Sequence, residues 1–198
     1  KLGIVCTLRE PPYSLRSFLD YHISIGFSHF FLFFDDPTDP AIRIAEQYGP
    51  GICSVIARGE ALLQSWRRMC CWHKHGPHCE TEVQSRQQLN AECAVHLALK
   101  SDVTWLLHID SDELFHVPGG GSATDLFTRL QAEGCSLLHV MNFEAVPEST
   151  TVRDAFKEVT LFRKHPDVLP SPAGAEVKAA KAFWERRSRG GRNFLYYD

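Results

Sequence analysis

Residues 103–113 read VTWLLHIDSDE, and this stretch decides the fold class. The mostly apolar run at 103–109 predicts a strand, the clearest one in the sequence. Two aspartates, Asp110 and Asp112, follow it directly with one residue between them. Because alternate residues of an extended segment point the same way, we expect the two carboxylates to face one point. The stretch therefore predicts a strand with acidic groups at its carboxyl end.

The same organisation extends outward from this strand along the chain. A helix is predicted directly before this strand, running to about residue 100. Its start is indicated by a capping box formed by Thr81 and Gln84. Strands alternating with helices predict an α/β domain with a mainly parallel sheet. The further predicted strands lie at 3–8, 29–34, 52–56, 136–143 and 194–197, and the further helices begin at Pro11-Pro12 or span 41–48, 125–133 and 175–187.

Composition bounds the class of protein. The 198 residues suit one domain, and 44% hydrophobic with 23% charged residues is ordinary for a globular protein. The net charge is −3, whereas a nucleic-acid-binding protein usually carries a basic stripe. There is no apolar run of the ~20 residues that a membrane span needs. We therefore expect neither nucleic acid nor a membrane as a partner of this segment itself.

Residues 64–80 interrupt the alternation with a polar, aromatic, Cys- and His-rich insertion. The segment has no core-like apolar pattern, which predicts a peripheral loop outside the chemistry. Cys70, Cys71 and Cys79 leave three alternatives open: one disulfide, a structural zinc site, or an unligated loop. The cysteine pattern alone does not decide the redox compartment.

Polar residues follow the predicted strands at 7–9, 35–36 and 110–112. Ligands of open α/β sheets bind at the carboxyl ends of the strands, which makes these positions candidates for a binding site. Paired carboxylates suit Mg²⁺ or Mn²⁺, which proteins commonly hold with one or two carboxylates plus substrate phosphates. The alternative at 35–36 and 110–112 is a solvated turn, because Asp, Ser and Pro are common turn residues. The alternative for Arg9 is a solvated residue at a strand end.

Three stretches, in this order, resemble one family. They are VCTLREP at 5–11, SFLDYHISIGFSHFFLFFDDP at 17–37 and WLLHIDSDELF at 105–115. They resemble the GT-A glycosyltransferases of the family 2 and family 92 type, and residues 153–164 are similar to that family's stretch after the core sheet. The resemblance covers roughly residues 3–164. It implies a Rossmann-like, mostly parallel sheet flanked by helices. It also implies that the chain is truncated at its C-terminal end, so that residues 145–198 are only the beginning of an acceptor-side region.

The resemblance also implies roles for individual residues. In this family the D-x-D motif holds a divalent metal, Mn²⁺ or Mg²⁺, on the diphosphate of a nucleotide sugar, which assigns Asp110 and Asp112 to the metal. The strand-end carboxylate Asp36, with Asp35 beside it, falls where the uracil N–H is accepted. Arg86 is a looser match on a helix near the nucleotide. The nucleotide-binding residues implied are Thr7, Arg9, Asp35, Asp36, Arg86 and Asp110.

The activity implied is hexosyl transfer from a UDP-sugar to an acceptor hydroxyl of a glycan, protein or small molecule, with inversion. The candidate general bases are Glu144, Glu148 and Asp154. The compartment implied is the Golgi lumen or another secretory compartment, with the cytoplasm as the alternative. Two rival functions stay open: a catalytically inactive module that binds a sugar nucleotide or a glycan, and an aspartyl-phosphate phosphotransferase.

Overall fold

The computed structural model describes residues 1–9 and 14–163. The first of two compact units ends at Ser136, and the second begins at Leu137. In the described part of the first unit, four strands form a parallel sheet in the order β3-β2-β1-β4. The predicted α/β class, with a parallel sheet flanked by helices, is confirmed. The strands are β1 (Leu2–Leu8), β2 (Phe27–Phe34), β3 (Cys53–Ala57) and β4 (Trp105–His108).

Helices follow the strands as the alternation predicts. The predicted N-cap of the longest helix is wrong, because Glu82 takes that position and the Thr81 hydroxyl bonds the carbonyl of His78 instead. Gly26 directly follows the C-cap of the first helix, with a φ of 112° that favours glycine. The helices are α1 (Leu15–Ser24), α2 (Ala41–Glu46), α3 (Glu60–Trp66), α4 (Trp72–His75), α5 (Val83–Ala98) and α6 (Ala123–Ala132).

The two faces of the sheet are covered by different helices, because successive strand residues point to opposite sides. On one face, Phe30 of β2 packs against Phe18 and His22 of α1. On the other face, strand residues pack against α3 and α5. That cluster comprises Val5, Phe31, Phe33, Leu62, Trp66, Cys79, Leu89, Cys93, Ala94 and Ala98.

The prediction that 64–80 is a peripheral loop is wrong. The segment holds the end of α3, the short helix α4 and a 3-10 turn at Gly76–His78. Trp66 and Cys79 are buried in the core, at 1% and 2% exposure. Trp72 covers Gly76 so closely that a Cβ there would meet its ring. Only Trp66, Gly76 and Cys79 of this stretch are buried, so a few positions without periodic spacing anchor a segment whose other residues are exposed or half-buried.

The predicted strand at 136–143 is also absent. Its apolar side chains remain exposed, including Leu137, Val140 and Phe143. An apolar run forms a strand only beside a hydrogen-bonding neighbour, and no described residue pairs with this one. The second unit instead contains β5 (Glu144–Ala145) paired antiparallel with β6 (Phe162–Arg163), and α7 (Ala155–Glu158).

No helix among the described residues is long and apolar enough to cross a membrane. All seven cysteines are free, so Cys70, Cys71 and Cys79 form no disulfide in the structure. The predicted helix at 175–187, the predicted strand at 194–197 and the Pro11-Pro12 helix start lie outside the described residues.

A buried histidine joins α1 to the chain that follows β4. His22 is fully buried, and its Nδ1 lies 2.8 Å from the carbonyl oxygen of Phe18. Its Nε2 accepts the backbone N–H of Phe115 at 3.1 Å, which makes Nδ1 the protonated nitrogen of a neutral ring. The Tyr21 hydroxyl donates to the carbonyl of Phe115. The segment after the strand-end aspartates is therefore tied to α1.

Burial lowers the pKa of His22 from 6.5 to about 4, although its bond to the Phe18 carbonyl opposes the shift. As the pH falls below 6.5, His22 becomes protonated in the unfolded chain but stays neutral in the folded protein. We therefore expect the free energy of unfolding to fall between pH 6.5 and 4, by up to about 3 kcal/mol. Denaturant unfolding across this range measures the effect.

The matched control for this prediction is His96→Gln, because His96 is exposed on α5. His96→Gln should retain the pH dependence, and His22→Phe should flatten it even if it lowers stability at pH 7. Equal slopes in His22→Phe and the wild type would contradict the assignment.

Candidate functional site

Helix α5 places a hydrogen-bonded row of polar side chains against the carboxyl end of β1. Asn90 is 1% exposed and donates from its amide to Thr7 Oγ1 at 2.9 Å. The Trp66 indole N–H donates to the amide oxygen of Asn90 at 2.9 Å. Thr7 sits at the predicted strand end and is 6% exposed. The hydroxyl of Thr7 is thus fixed as an acceptor on its α5 side.

A buried ion pair fixes the end of β2. Arg86 Nε and Nη2 both donate to Asp35 Oδ2, at 2.7 and 2.6 Å. The two side chains are 6% and 9% exposed. Arg86 Nη1 donates to the carbonyl of Cys79 at 2.8 Å, so the guanidinium also holds the turn before α5. A buried charge needs such partners, because the desolvation cost is otherwise several kcal/mol.

The end of β4 carries the aspartate pair. Gln87 Nε2 donates to Asp110 Oδ1 at 2.6 Å, and the Asp110 N–H bonds the Glu113 carboxylate at 3.0 Å. Burial and the charge of Asp112 raise the pKa of Asp110, whereas the Gln87 hydrogen bond lowers it. The pKa of the buried Cys6 thiol is raised by burial and by the same acidic groups. Negative charge therefore accumulates at this end of the sheet.

Three side chains within about one turn of α5, called the row on α5, each contact the end of a different strand. Arg86 contacts the end of β2, Gln87 that of β4 and Asn90 that of β1. The family resemblance predicts Arg86 as a site residue, whereas Gln87 and Asn90 are not predicted from the sequence. A signal was present, because positions 86 and 90 continue the buried stripe at 93–94 with helical spacing. Charged and amide side chains in a core stripe need polar partners, which strand ends supply.

Other predicted site residues take different environments. Arg9 is exposed directly after β1. Asp36 is exposed and its Oδ1 accepts the N–H and the hydroxyl of Thr38, both at 2.7 Å, which lowers its pKa. This is the turn that the Asp-Asp-Pro sequence allows. Within the described residues, neither side chain joins the contacts that α5 makes.

The three candidate bases lie in the second unit. Glu144 begins β5, and Glu148 is exposed in the chain after it. Asp154 accepts the N–H of Phe156 at the start of α7 and pairs with Lys157 at 2.9 Å. Capping and pairing give Asp154 a structural role.

The donor set at the end of β4 fits a hard divalent cation that also binds substrate. Among the described residues, no three His, Cys, Asp or Glu side chains are arranged to hold a metal ion. The expected extended geometry of the aspartate pair is wrong, because residues 111 and 112 lie in a turn closed by the bond of the Glu113 N–H to the Asp110 carbonyl. The charge of Asp112 still raises the pKa of Asp110, and a cation bound to both carboxylates would relieve that repulsion. A site of this kind takes its remaining ligands from phosphates and water.

Two plant proteins are similar to this chain. "Glycosyltransferase-like At3g57200" of Arabidopsis thaliana is 29% identical over 159 residues, which are 75% of this chain and 30% of that protein. "Glycosyltransferase-like At2g41451" of the same plant is 29% identical over 160 residues, 76% of this chain and 35% of that protein. The chain thus spans about a third of each relative. No protein-family profile and no solved structure matches it.

The Arg86–Asp35 pair leads to a stability prediction. Arg86→Met leaves the Asp35 carboxylate and the Cys79 carbonyl without their buried donor, so we expect it to destabilise the fold by about 3–5 kcal/mol. The matched control is Arg58→Met, because Arg58 pairs with Glu80 where the two side chains are 29% and 72% exposed. That change should cost less than about 1 kcal/mol. Equal losses in urea unfolding would contradict the role of the buried pair.

Proposed function

We propose that this domain binds a nucleotide-diphosphate sugar at the carboxyl edge of its sheet and transfers the sugar to an acceptor hydroxyl. The observation that carries the proposal is the row on α5 that joins functional side chains of three strand ends, Thr7, Asp35 and Asp110, at one edge. In parallel α/β sheets this edge is where ligands bind. The similarity to two proteins named glycosyltransferase-like supports the choice of reaction.

Asp110 and Asp112 are proposed to hold Mn²⁺ or Mg²⁺ together with the donor's diphosphate. The bound cation would neutralise charge that develops on the leaving diphosphate. Asp110 is held at Oδ1 by Gln87, whereas Asp112 is exposed toward solvent. The two carboxylates thus combine one fixed ligand with one that is accessible to an incoming substrate.

Asp35 is the proposed reader of the nucleobase, in preference to Asp36. Both bonds from Arg86 end on Asp35 Oδ2, and among the described residues no other side chain donates to this carboxylate. Oδ1 is therefore the oxygen available to accept an imide N–H. Asp36 already accepts two bonds from Thr38 in its turn. The proposed further contacts to the nucleotide are Thr7, near the end of the neighbouring strand β1, and Arg9, directly after that strand.

The remaining parts of the reaction are proposed from the resemblance. A carboxylate among Glu144, Glu148 and Asp154 would accept the proton of the acceptor hydroxyl, which permits an inverting single displacement. The proposed transferred group is a hexosyl group, and the proposed acceptor is a glycan, a protein or a small molecule. A secretory compartment such as the Golgi lumen is the proposed location.

A metal-binding test follows from the aspartate pair. Asp112→Asn removes a charged ligand, so we expect Mn²⁺-dependent UDP binding to weaken by about tenfold or more, which is about 1.4 kcal/mol. Calorimetric titration of UDP with and without Mn²⁺ measures this change. The control is Asp125→Asn, another exposed aspartate in the first turn of α6. Mn²⁺ dependence that persists unchanged in Asp112→Asn would argue against the site.

Nucleobase preference tests the role of Asp35. A fixed carboxylate acceptor pairs with the imide N–H of uracil, whereas the corresponding ring nitrogens of adenine and cytosine carry no hydrogen, so UDP should bind about tenfold tighter than ADP or CDP. The carboxylate should discriminate less strongly against GDP, because guanine also carries such an N–H. Asp35→Asn should reduce the preference, and Asp36→Asn should retain it. Titrations are compared at a temperature where circular dichroism shows all variants folded.

Equal affinities for the four diphosphates, or a preference for ADP, would reject the base assignment. Loss of the preference in Asp36→Asn alone would transfer the role to that residue. A panel of sugar nucleotides then separates enzyme from binding module. An enzyme releases UDP from one of them with Mn²⁺ and an acceptor or water, and a binding module shifts the melting temperature without turnover.

A further inference from the structure

Gln87 contacts the site through a neutral group. It is 8% exposed, and its amide nitrogen lies 2.6 Å from Asp110 Oδ1. A glutamine side chain carries three rotatable bonds, so burying it costs rotamer entropy that a favourable bond must offset. This buried amide on α5 ends on one of the two aspartates proposed as metal ligands, and the bond orients that carboxylate.

The position of Gln87 in α5 makes this orientation rigid. Arg86, one residue earlier, is bonded to Asp35 and to the turn before the helix. Asn90, one turn later, is bonded to Thr7 and to Trp66. Fixed neighbours on both sides hold the helix at a set distance from β4. Gln87 therefore presents its donor to Asp110 from a backbone that does not shift.

The chemistry of the donor also matters. The groups around Asp110 are acidic or neutral: Asp112 and Glu113 on its own segment, Cys6 on β1 and Gln87 on α5. A lysine or arginine in the place of Gln87 would orient the carboxylate equally well, but its charge would repel a divalent cation. An amide fixes the same oxygen and leaves the negative charge available to the metal.

We propose that Gln87 is a positioning residue for the metal site, holding Asp110 Oδ1 so that Oδ2 is directed to a divalent cation shared with Asp112. The inference rests on the proposed function, because it concerns the same cation. Outer hydrogen bonds of this kind set ligand orientation in metal sites, and their removal typically weakens metal binding about 10- to 100-fold.

The test compares Gln87→Met with Gln88→Met in the full chain. Both changes replace an amide by a side chain of similar length on the same helix, and Gln88 is only half-buried. Titration with Mn²⁺ in the presence of UDP should show at least tenfold weaker metal binding in Gln87→Met and little change in Gln88→Met. Metal-free UDP binding and the melting temperature should agree between the two variants. Gln87→Leu replaces Gln87→Met if the latter does not fold.

Each outcome decides the inference. Unchanged Mn²⁺ binding in Gln87→Met, with a wild type that does bind Mn²⁺ and UDP, overturns the role of Gln87 and leaves the proposed function standing. If Gln87→Met loses metal-free UDP affinity and melting temperature that Gln88→Met keeps, Gln87 has a structural role, which also overturns the inference. A wild type that binds no Mn²⁺ with UDP removes the proposed function and the inference together.

Discussion

The guanidinium of Arg86, enclosed between α5 and the end of β2, is the constraint around which the candidate site is built. A cation removed from water must recover its solvation from the protein, and here Asp35 and the carbonyl of Cys79 supply it. Their positions fix the rotation of α5 about its axis. Gln87 and Asn90 then meet Asp110 and Thr7 without further adjustment.

A second helix constrains the site from the opposite face of the sheet. His22 and Tyr21 of α1 bond the backbone of Phe115, a few residues beyond Asp112. The segment between β4 and Phe115 is therefore held at both ends, by the sheet and by α1. Such a span limits the positions that the Asp112 carboxylate can reach, which keeps it near Asp110. The candidate site thus depends on helices from both layers.

Much of the fold was predictable, because buried strands leave continuous apolar runs in the sequence. The strand-end rule also located Thr7, Asp35 and Asp110 at one edge of the sheet, where the structure has them. Residues 136–143 show the limit of that signal, since an apolar run does not reveal whether a neighbouring strand exists to pair with it. Gln87 escaped prediction for another reason: its partner is distant in the sequence, and only packing brings the two together.

The row on α5 has a consequence for how sequences of this kind can change in length. An inserted or deleted residue between Arg86 and Asn90 rotates the rest of the helix by about 100°. The hydrogen bonds that Arg86, Gln87 and Asn90 make to the three strand ends could not then all form. The exposed run Pro118-Gly119-Gly120-Gly121 has no such restriction. Evolution can lengthen or shorten that loop freely, whereas the spacing within α5 is expected to stay constant among related chains.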